Sequence, residues 1–395
     1  MHTKLPAPGA QHSPRRDQKR AGNIVVLSAA AIVMIFGFAA FTIDVGYISL
    51  TKAQLQAAAD ASALSAAIEL PPALGLGPTR TSAKAETIAR TSAADVAARH
   101  RAGDVPSIYV DTQRDVRFGQ RLWDEGAGTY VESWGTAPYN LVEVTLRRNQ
   151  GAGAADGPLP LFFAPVIGHD DASLEVRAAA TLGVGVGFKI PPGSQQRIDV
   201  LPFALDVPTW ENLLNGIGTD DYTYNPETGK VTNGPDGILE VNLYPNGSGS
   251  LPPGNRGTVD LGDRNNSTND IARQILHGLN AHDLSFFGGE IRTDQGPLYI
   301  NGDTGISAGI KDELEAIKGQ PRLIPLFTAV SGPGNNATYT IVKFVGIRVM
   351  NVRLTGSASS KHVMVQPAPF VAPTVIRGNA PLAVDAYFSP VQLLR

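Results

Sequence analysis

Residues 24–43 read IVVLSAAAIVMIFGFAAFTI, and residues 44–70 continue as DVGYISLTKAQLQAAADASALSAAIEL. No side chain between Ala21 and Ile43 is charged, and Ser28 and Thr42 are the polar breaks in the apolar run. A helix rises about 1.5 Å per residue, so this run is about 30 Å long, the thickness of a bilayer's hydrocarbon core. The sequence therefore predicts a transmembrane helix over 23–43. Before it, residues 1–22 carry Lys4, Arg15, Arg16, Lys19 and Arg20 against one acid, Asp17, while the first acid beyond it is Asp44. Cytoplasmic flanks hold the excess of lysine and arginine, so the asymmetry predicts a cytoplasmic basic tail over 1–22 and places the chain after residue 43 outside. A cleaved secretory signal shares the basic start, but its apolar region usually spans about 7–15 residues and ends at a small-residue cleavage site. Here the run is longer and a helical pattern continues to Pro71-Pro72, which favours an uncleaved membrane anchor.

Beyond the membrane, Leu50, Ala53, Ala57, Ala61, Leu64 and Ile68 recur at steps of three and four. That stripe is expected to be the buried face of a helix running on to Leu70. Membrane and outer parts together make a nearly continuous helix of about 70 Å, half in lipid and half outside. This is a pilin-like shape, with Gly46 as a hinge at the surface. Segment Ser82 to Arg101, with Ala83, Ile88, Val96 and Ala97 on one side, is the expected partner in a helical hairpin. Asp44 stands where the helix leaves lipid, where its charge reaches headgroups and water cheaply. Asp60 adjoins the apolar stripe, and a buried carboxylate there needs a partner from Lys52, Gln56 or a second chain; surface exposure is the alternative.

The 395 residues exceed one ordinary domain, and the net charge of -3 lacks the basic footprint of a nucleic-acid binder. Zero cysteines exclude disulfides, cysteine-ligated zinc, iron–sulfur clusters and thiol nucleophiles. The 42 glycines and 29 prolines favour short strands joined by turns. Period-two patterns at Ser107–Val110, Val116–Gly119, Tyr130–Glu132 and Leu141–Leu146 predict strands, arranged as a β-meander packed on the hairpin. A Gly/Ala-rich loop over Gln150–Pro158, a short helix around Leu161–Val166 and a strand over Leu174–Leu182 would close a first ectodomain at 44–182. Gly183-Val184-Gly185-Val186-Gly187 and Pro191-Pro192-Gly193-Ser194 mark a boundary. From 188 to 395 a strand-rich second ectodomain is expected. Its strands are Arg197–Leu205, Ile238–Tyr244, Leu323–Val330 and Thr338–Leu354, the last broken near Gly346. Its helices are Thr268–Leu279 and Ser307–Lys318, with Ser307 as N-cap. The fold class is α+β.

One segment resembles a known family. Gly22-Asn23 before the apolar span, Phe36-Gly37-Phe38 within it, Ile43-Asp44-Val45-Gly46 at its end, and Leu55-Gln56-Ala57-Ala58-Ala59-Asp60-Ala61-Ser62-Ala63-Leu64-Ser65-Ala66-Ala67 are similar to the N-terminal domain of TadG-like proteins of the Tad/Flp pilus-assembly system. Pro160-Leu161-Phe162-Phe163-Ala164 through Ala178-Ala179-Ala180 is similar to the short helix and strand that close pilin-like Tad ectodomains. Gly254-Asn255-Arg256-Gly257 and Thr304-Gly305-Ile306-Ser307, each leading into a helix, resemble the outer region of related envelope proteins. Ser62 and Ser65 depart from the pattern, where alanine is commoner. A prepilin-type cut after Gly22 is disfavoured, because the fifth residue after it is Leu27 rather than glutamate. The resemblance implies a role in pilus assembly, with other pilus-assembly or envelope proteins and the lipid bilayer as partners, and with self-association through the N-terminal helix open. It singles out Asp44, Gly46, Leu55, Gln56, Asp60 and Leu64 as assembly candidates.

Other clusters predict no cofactor, metal or catalytic site. Larger TadG-like proteins can carry a von Willebrand A-type metal site of pattern Asp-x-Ser-x-Ser, and the runs starting at Asp60 and Asp171 both miss it. The acid-rich loop with Asp220, Asp221, Asn225, Glu227, Asn233, Asp236 and Glu240 offers oxygen ligands without EF-hand spacing, and ordinary turns are the simpler reading. His277 and His282, with Asp283 beside them, lack the helical spacing of a zinc pair. Gly183-x-Gly185-x-Gly187 lacks the remaining spacing of a dinucleotide fingerprint. The resulting reading is a non-enzymatic, single-pass envelope protein of pilus assembly or a related secretion apparatus. A surface adhesive protein using the same membrane module, and a membrane-anchored hydrolase with an oxygen nucleophile, are the alternatives.

Overall fold

The computed structural model of the chain describes residues 23–150, 157–244, 257–263, 267–303, 306–332 and 336–394. The basic tail 1–22, most of the predicted Gly/Ala-rich loop, and the turn residues Gly254-Asn255-Arg256 and Thr304-Gly305 lie outside the described residues.

Helix α1 (Asn23–Ile68) runs 46 residues and passes unbroken through Gly46. From Ile24 to Ile43 its side chains are exposed, apart from half-buried Ala31 and Ala40. It is long and apolar enough to cross a membrane. Pro71 and Pro72, which cannot donate backbone hydrogen bonds, turn the chain into the 3-10 helix Pro71–Ala73. Helix α2 (Ser82–Ala97) then starts from Thr81, whose hydroxyl accepts the Lys84 N–H. It packs on the outer half of α1 through Ala85, Ala89, Ala93 and Ala97, an i, i+4 ladder small enough for close approach.

Both predicted helix faces are corrected. The buried side of α1 carries Thr51, Leu55, Ala58, Ala59, Ser62, Ala63, Ala66, Ala67 and Leu70. The predicted stripe is the other side: Leu50 and Ile68 are 55% and 61% exposed, Ala53 and Ala57 are exposed, and Ala61 and Leu64 are half-buried. An alanine-rich helix is apolar nearly all round, so periodicity offers two stripes. The sheet takes the one whose small side chains permit the nearer approach. On α2, Ala97 is buried as expected, but Ala83 is exposed and Ile88 and Val96 are half-buried.

Strands β1 (Val116–Asp124), β2 (Thr129–Trp134), β3 (Leu141–Arg148) and β4 (Leu174–Thr181) form an antiparallel sheet of order β2-β1-β3-β4, completed by Gln392–Leu394 on β4. The expected meander is therefore corrected, because β3 lies beside β1 rather than β2. β2 has no buried side chain and suits an edge, whereas β3 has none exposed and takes the centre. Residues 107–110 form an irregular loop rather than a strand, held by the Ile108 N–H on the His100 carbonyl at 3.1 Å. Helix α1 lies across β3 and β4, where Ala178 and Ala180 make room for it.

Gly185 and Gly187 of the predicted boundary run lie in strand β5 (Gly185–Lys189), between Glu290–Arg292 and Val375–Arg377. A Cβ on Gly187 would sit 2.1 Å from the Ile291 carbonyl oxygen, so the glycine serves close backbone approach. Strands β6 (Phe203–Asp206), β7 (Gly257–Val259), β8 (Leu298–Asp303), β9 (Pro321–Ser331) and β10 (Ala337–Arg353) close a ring in the order β9-β6-β7-β8-β10 and back to β9. β6 and β9 pair in parallel and the other pairs are antiparallel. His362–Pro367 and Val241–Asn242 extend the sheet beyond β10. β10 is continuous through Gly346, which correction follows from the same cause as at Gly187: a Cβ there would meet the Ala368 carbonyl oxygen at 2.2 Å. The irregularity lies nearer Val342, where the register against β9 shifts and re-aims the side chains. Helices α3 (Val207–Leu214), α4 (Thr268–His277), α5 (Ala281–Ser285) and α6 (Lys311–Ala316) accompany this sheet, and Trp210, Ile275 and Leu314 of α3, α4 and α6 share a core with its strands. Ser307 caps the 3-10 turn Ala308–Ile310 that leads into α6. The chain end returns to the first sheet, so residues 188–395 do not close on themselves.

Candidate functional site

The assembly candidates on α1 fall into a joint where the uncharged apolar run ends and a seam along the sheet. At the joint, Asp44 is buried rather than solvated among headgroups, which corrects the expectation. Its carboxylate accepts the N–H groups of Phe162, Phe163 and Ala164 at 2.9, 3.0 and 2.7 Å. These donors open the 3-10 turn Ala164–Ile167, whose end N–H groups have no partner within the turn itself. One acid on α1 thus caps a turn 118 residues or more away. Tyr47, one helical turn further on, packs on Phe162 with ring centroids 5.0 Å apart. Gly46 is exposed, with open space where a Cβ would stand.

Along the seam, Leu55 is fully buried in the first core, and Leu64 packs against that core from a half-buried position. The Gln56 amide donates to Asp60 at 2.8 Å and to the Arg177 carbonyl on β4 at 3.1 Å. Gln56 is therefore the partner that Asp60 finds within the chain, and the pair ties the helix to the sheet. Ser65, one of the departures from the family pattern, meets the Ser92 hydroxyl of α2 at 2.5 Å. Gln54 accepts the Gly103 N–H at 2.9 Å and pins the loop after α2.

Sequence reasoning missed Arg148. It is buried and donates to the Ala102, Gly157 and Pro158 carbonyls and to the Asp104 carboxylate. It joins the loop after α2 to the segment that leads to the capped turn. The signal was present: Val142, Val144, Leu146 and Arg148 share one face by the period of two, so the arginine falls on the core side. The partners of Asp44 were also missed, although a carboxylate at the membrane exit with no base within a helical turn must find donors elsewhere.

The remaining candidates are absorbed by local structure. Asp220 accepts the Asp236 and Gly237 N–H groups, Asp236 accepts those of Tyr224 and Ile238, and Asn225 accepts those of Glu227 and Thr228. Glu240 accepts the Asp221 and Tyr222 N–H groups; burial, helped by the charges of Asp220 and Asp236, pushes its carboxyl above the usual range against those bonds. These oxygens hold a β-hairpin, Tyr222–Asn225 with Lys230–Asn233. Asp283 is buried in a capping box with Asn280 and a bidentate pair with Arg273, at 2.8 and 3.1 Å. His282 packs edge-on against Phe286. A cavity of about 250 Å³ beside β5 and β10 is lined by Thr293, Asp294, Lys343, Asp385 and Tyr387 among others, with no serine or histidine among the described residues of its wall.

Comparison with the curated proteins and with the solved structures gave no match. Comparison with family models gave one, described as "Putative Flp pilus-assembly TadE/G-like", over residues 22–69. That span begins just before α1 and ends just after it, and it contains Asp44, Gly46, Leu55, Gln56, Asp60 and Leu64. The resemblance drawn from those residues is thus shown: α1 of this chain is similar to the TadE/G-like family over residues 22–69.

Proposed function

We propose that this chain is a non-enzymatic, single-pass component of Tad/Flp-type pilus assembly or a related secretion apparatus. α1 anchors it in the inner membrane with the N-terminus in the cytoplasm, and the rest of the chain stands outside as a pilin-like unit over 44–182 and a strand-rich part from 188 onward whose last strand, Gln392–Leu394, returns to the first sheet. The supporting observation is that one helix carries both the family match and two opposed apolar faces. One face is spent on the chain's own sheet. The other, with Leu50, Ala53, Ala57 and Ile68, is left for a helix of another subunit, including a second copy of this chain. In this reading Leu55 and Leu64 seat the helix on its sheet, while Asp44 and the Gln56–Asp60 pair fix its register there. The chemistry required is positioning and contact, not bond making.

Cell fractionation with protease shaving of spheroplasts tests the topology. The reading expects full-length protein in the inner-membrane fraction, with everything after α1 digested from outside. Protein lacking its apolar segment and recovered in the medium or in sheared fibres contradicts it.

A further inference from the structure

The turn capped by Asp44 carries large apolar side chains that the rest of the chain does not cover. Phe162 is 63% exposed, Phe163 44%, Val166 88% and Ile167 73%. They sit on the excursion between Leu159–Pro160 and Asp171–Ala172, which pair with each other, and Leu159 roots that excursion in the first core. An apolar cluster of this kind on a folded protein marks a contact surface. Three observations say what it contacts. First, the Asp44 carboxylate fixes the turn to α1 at the residue where the uncharged apolar run ends. Second, the neighbouring α1 residues Phe41, Ile43 and Val45 are themselves 65%, 50% and 42% exposed, so the uncovered surface at this level includes the helix. Third, the backbone is prepared for a medium poor in water. Asp44 takes three N–H groups, and the Leu161, Val166, Gly168 and His169 N–H groups are bonded to the Asp170, Phe163, Pro165 and Ala164 carbonyls. Pro165 has no N–H to satisfy. Internal pairing of this kind lowers the cost of placing a turn among headgroups and upper acyl chains.

We infer that the turn Phe162–Ile167 is a second membrane contact, resting in the interfacial zone of the leaflet at the outer end of α1; this builds on the reading of α1 as a membrane helix. Helix and turn then hold the bilayer at two points joined by Asp44, which sets the tilt of the first sheet over the membrane rather than leaving it on a free stalk. Phe162 and Phe163 suit the zone as apolar side chains that bury at the boundary of headgroups and acyl chains, and Tyr47, packed on Phe162, brings an amphipathic ring to the same level.

The chain has no cysteine, so single-cysteine variants report without background. Full-length Val166→Cys, Phe36→Cys and Ile217→Cys proteins, each carrying an environment-sensitive fluorophore, are reconstituted into phosphatidylethanolamine/phosphatidylglycerol vesicles containing nitroxide lipids placed shallow or deep in the chain. Val166 and Ile217 are both exposed, so neither label disturbs a core. The inference expects loss of emission at Val166→Cys with the shallow quencher, loss at Phe36→Cys with the deep quencher, and no loss at Ile217→Cys. Quenching at Phe36→Cys without quenching at Val166→Cys overturns the inference and leaves the membrane helix standing. Absence of quenching at Phe36→Cys removes the membrane reading and the inference with it.

Discussion

The first and second halves of α1 share a vocabulary of alanine and branched aliphatics but differ in what covers them within the chain. From Ile24 to Ile43 nearly every side chain is exposed and large ones dominate, including Phe36, Phe38 and Phe41. From Asp44 to Leu70 one side is buried and built mainly of Ala, Ser and Thr around Leu55 and Leu70. Lipid covers a helix from all directions and selects no face. A sheet covers one direction and selects residues small enough to let the backbones approach. Polar groups follow the same division: Thr42 bonds back to the Phe38 carbonyl within the helix, whereas Gln54 and Gln56 reach out to Gly103 and Arg177.

The comparison can be broken at four places. The largest effect is expected where the halves meet. Asp44→Ala deprives three consecutive N–H groups of their acceptor, so hydrogen exchange at Phe162, Phe163 and Ala164 should lose its protection and the excursion should become cleavable by protease. Retained protection in the variant would show that the cap is not what holds the turn. Next, Leu55→Ala should cost about 2–5 kcal/mol in denaturant unfolding in detergent, while the same truncation at Leu50 stays within about 0.5 kcal/mol. Equal losses at both positions would erase the distinction between the faces. Third, adding volume should follow the same rule: Ala66→Leu overpacks the seam and costs about 1–3 kcal/mol, whereas Ala53→Leu adds an exposed side chain and leaves the midpoint unchanged.

The smallest effect concerns the sheet under the helix. Arg177 above all, and Arg147 with it, hold the Glu175 carboxyl below its ordinary 4.5, against partial burial that works the other way. A lowered carboxyl pKa contributes stability above the unfolded value, and that contribution is lost as pH falls through the folded value. Because Glu175 is more than a third exposed, the contribution is about 0.5 kcal/mol after solvent screening. Unfolding of the wild type and of Glu175→Gln should therefore differ slightly at pH 7 and converge in acid. A difference that grows on acidification has the wrong sign for this pair.

Legibility in the sequence follows the range of the forces involved. The long apolar helix and its continuation are local properties, and they could be read from the uncharged span and the Pro71-Pro72 stop. The face of α1 that the sheet takes could not, because Leu50-Ala53-Ala57 and Leu55-Ala58-Ser62 are both apolar enough, and the choice belongs to β3 and β4. The strand order follows from the burial of β3 on both faces, which the alternation of Glu143, Thr145 and Arg147 with Val142, Val144 and Leu146 does not reveal. Gly185, Gly187 and Gly346 looked like punctuation; they are places where another strand, ring or carbonyl comes too close for a Cβ. The cap on Phe162–Ala164 needed a contact across most of the first sheet's sequence, which no periodicity reports.

On the proposed function, the outer half of α1 keeps one face for its own sheet and offers the other to a partner subunit. A photo-crosslinking residue at Ala57, compared in living cells with one at buried Ala66, tests it most directly. The account predicts that the Ala57 position yields adducts with pilus-assembly subunits or with a second copy of this chain in the inner membrane, while the Ala66 position yields none. Adducts from neither position, or equal adducts from both, would contradict it.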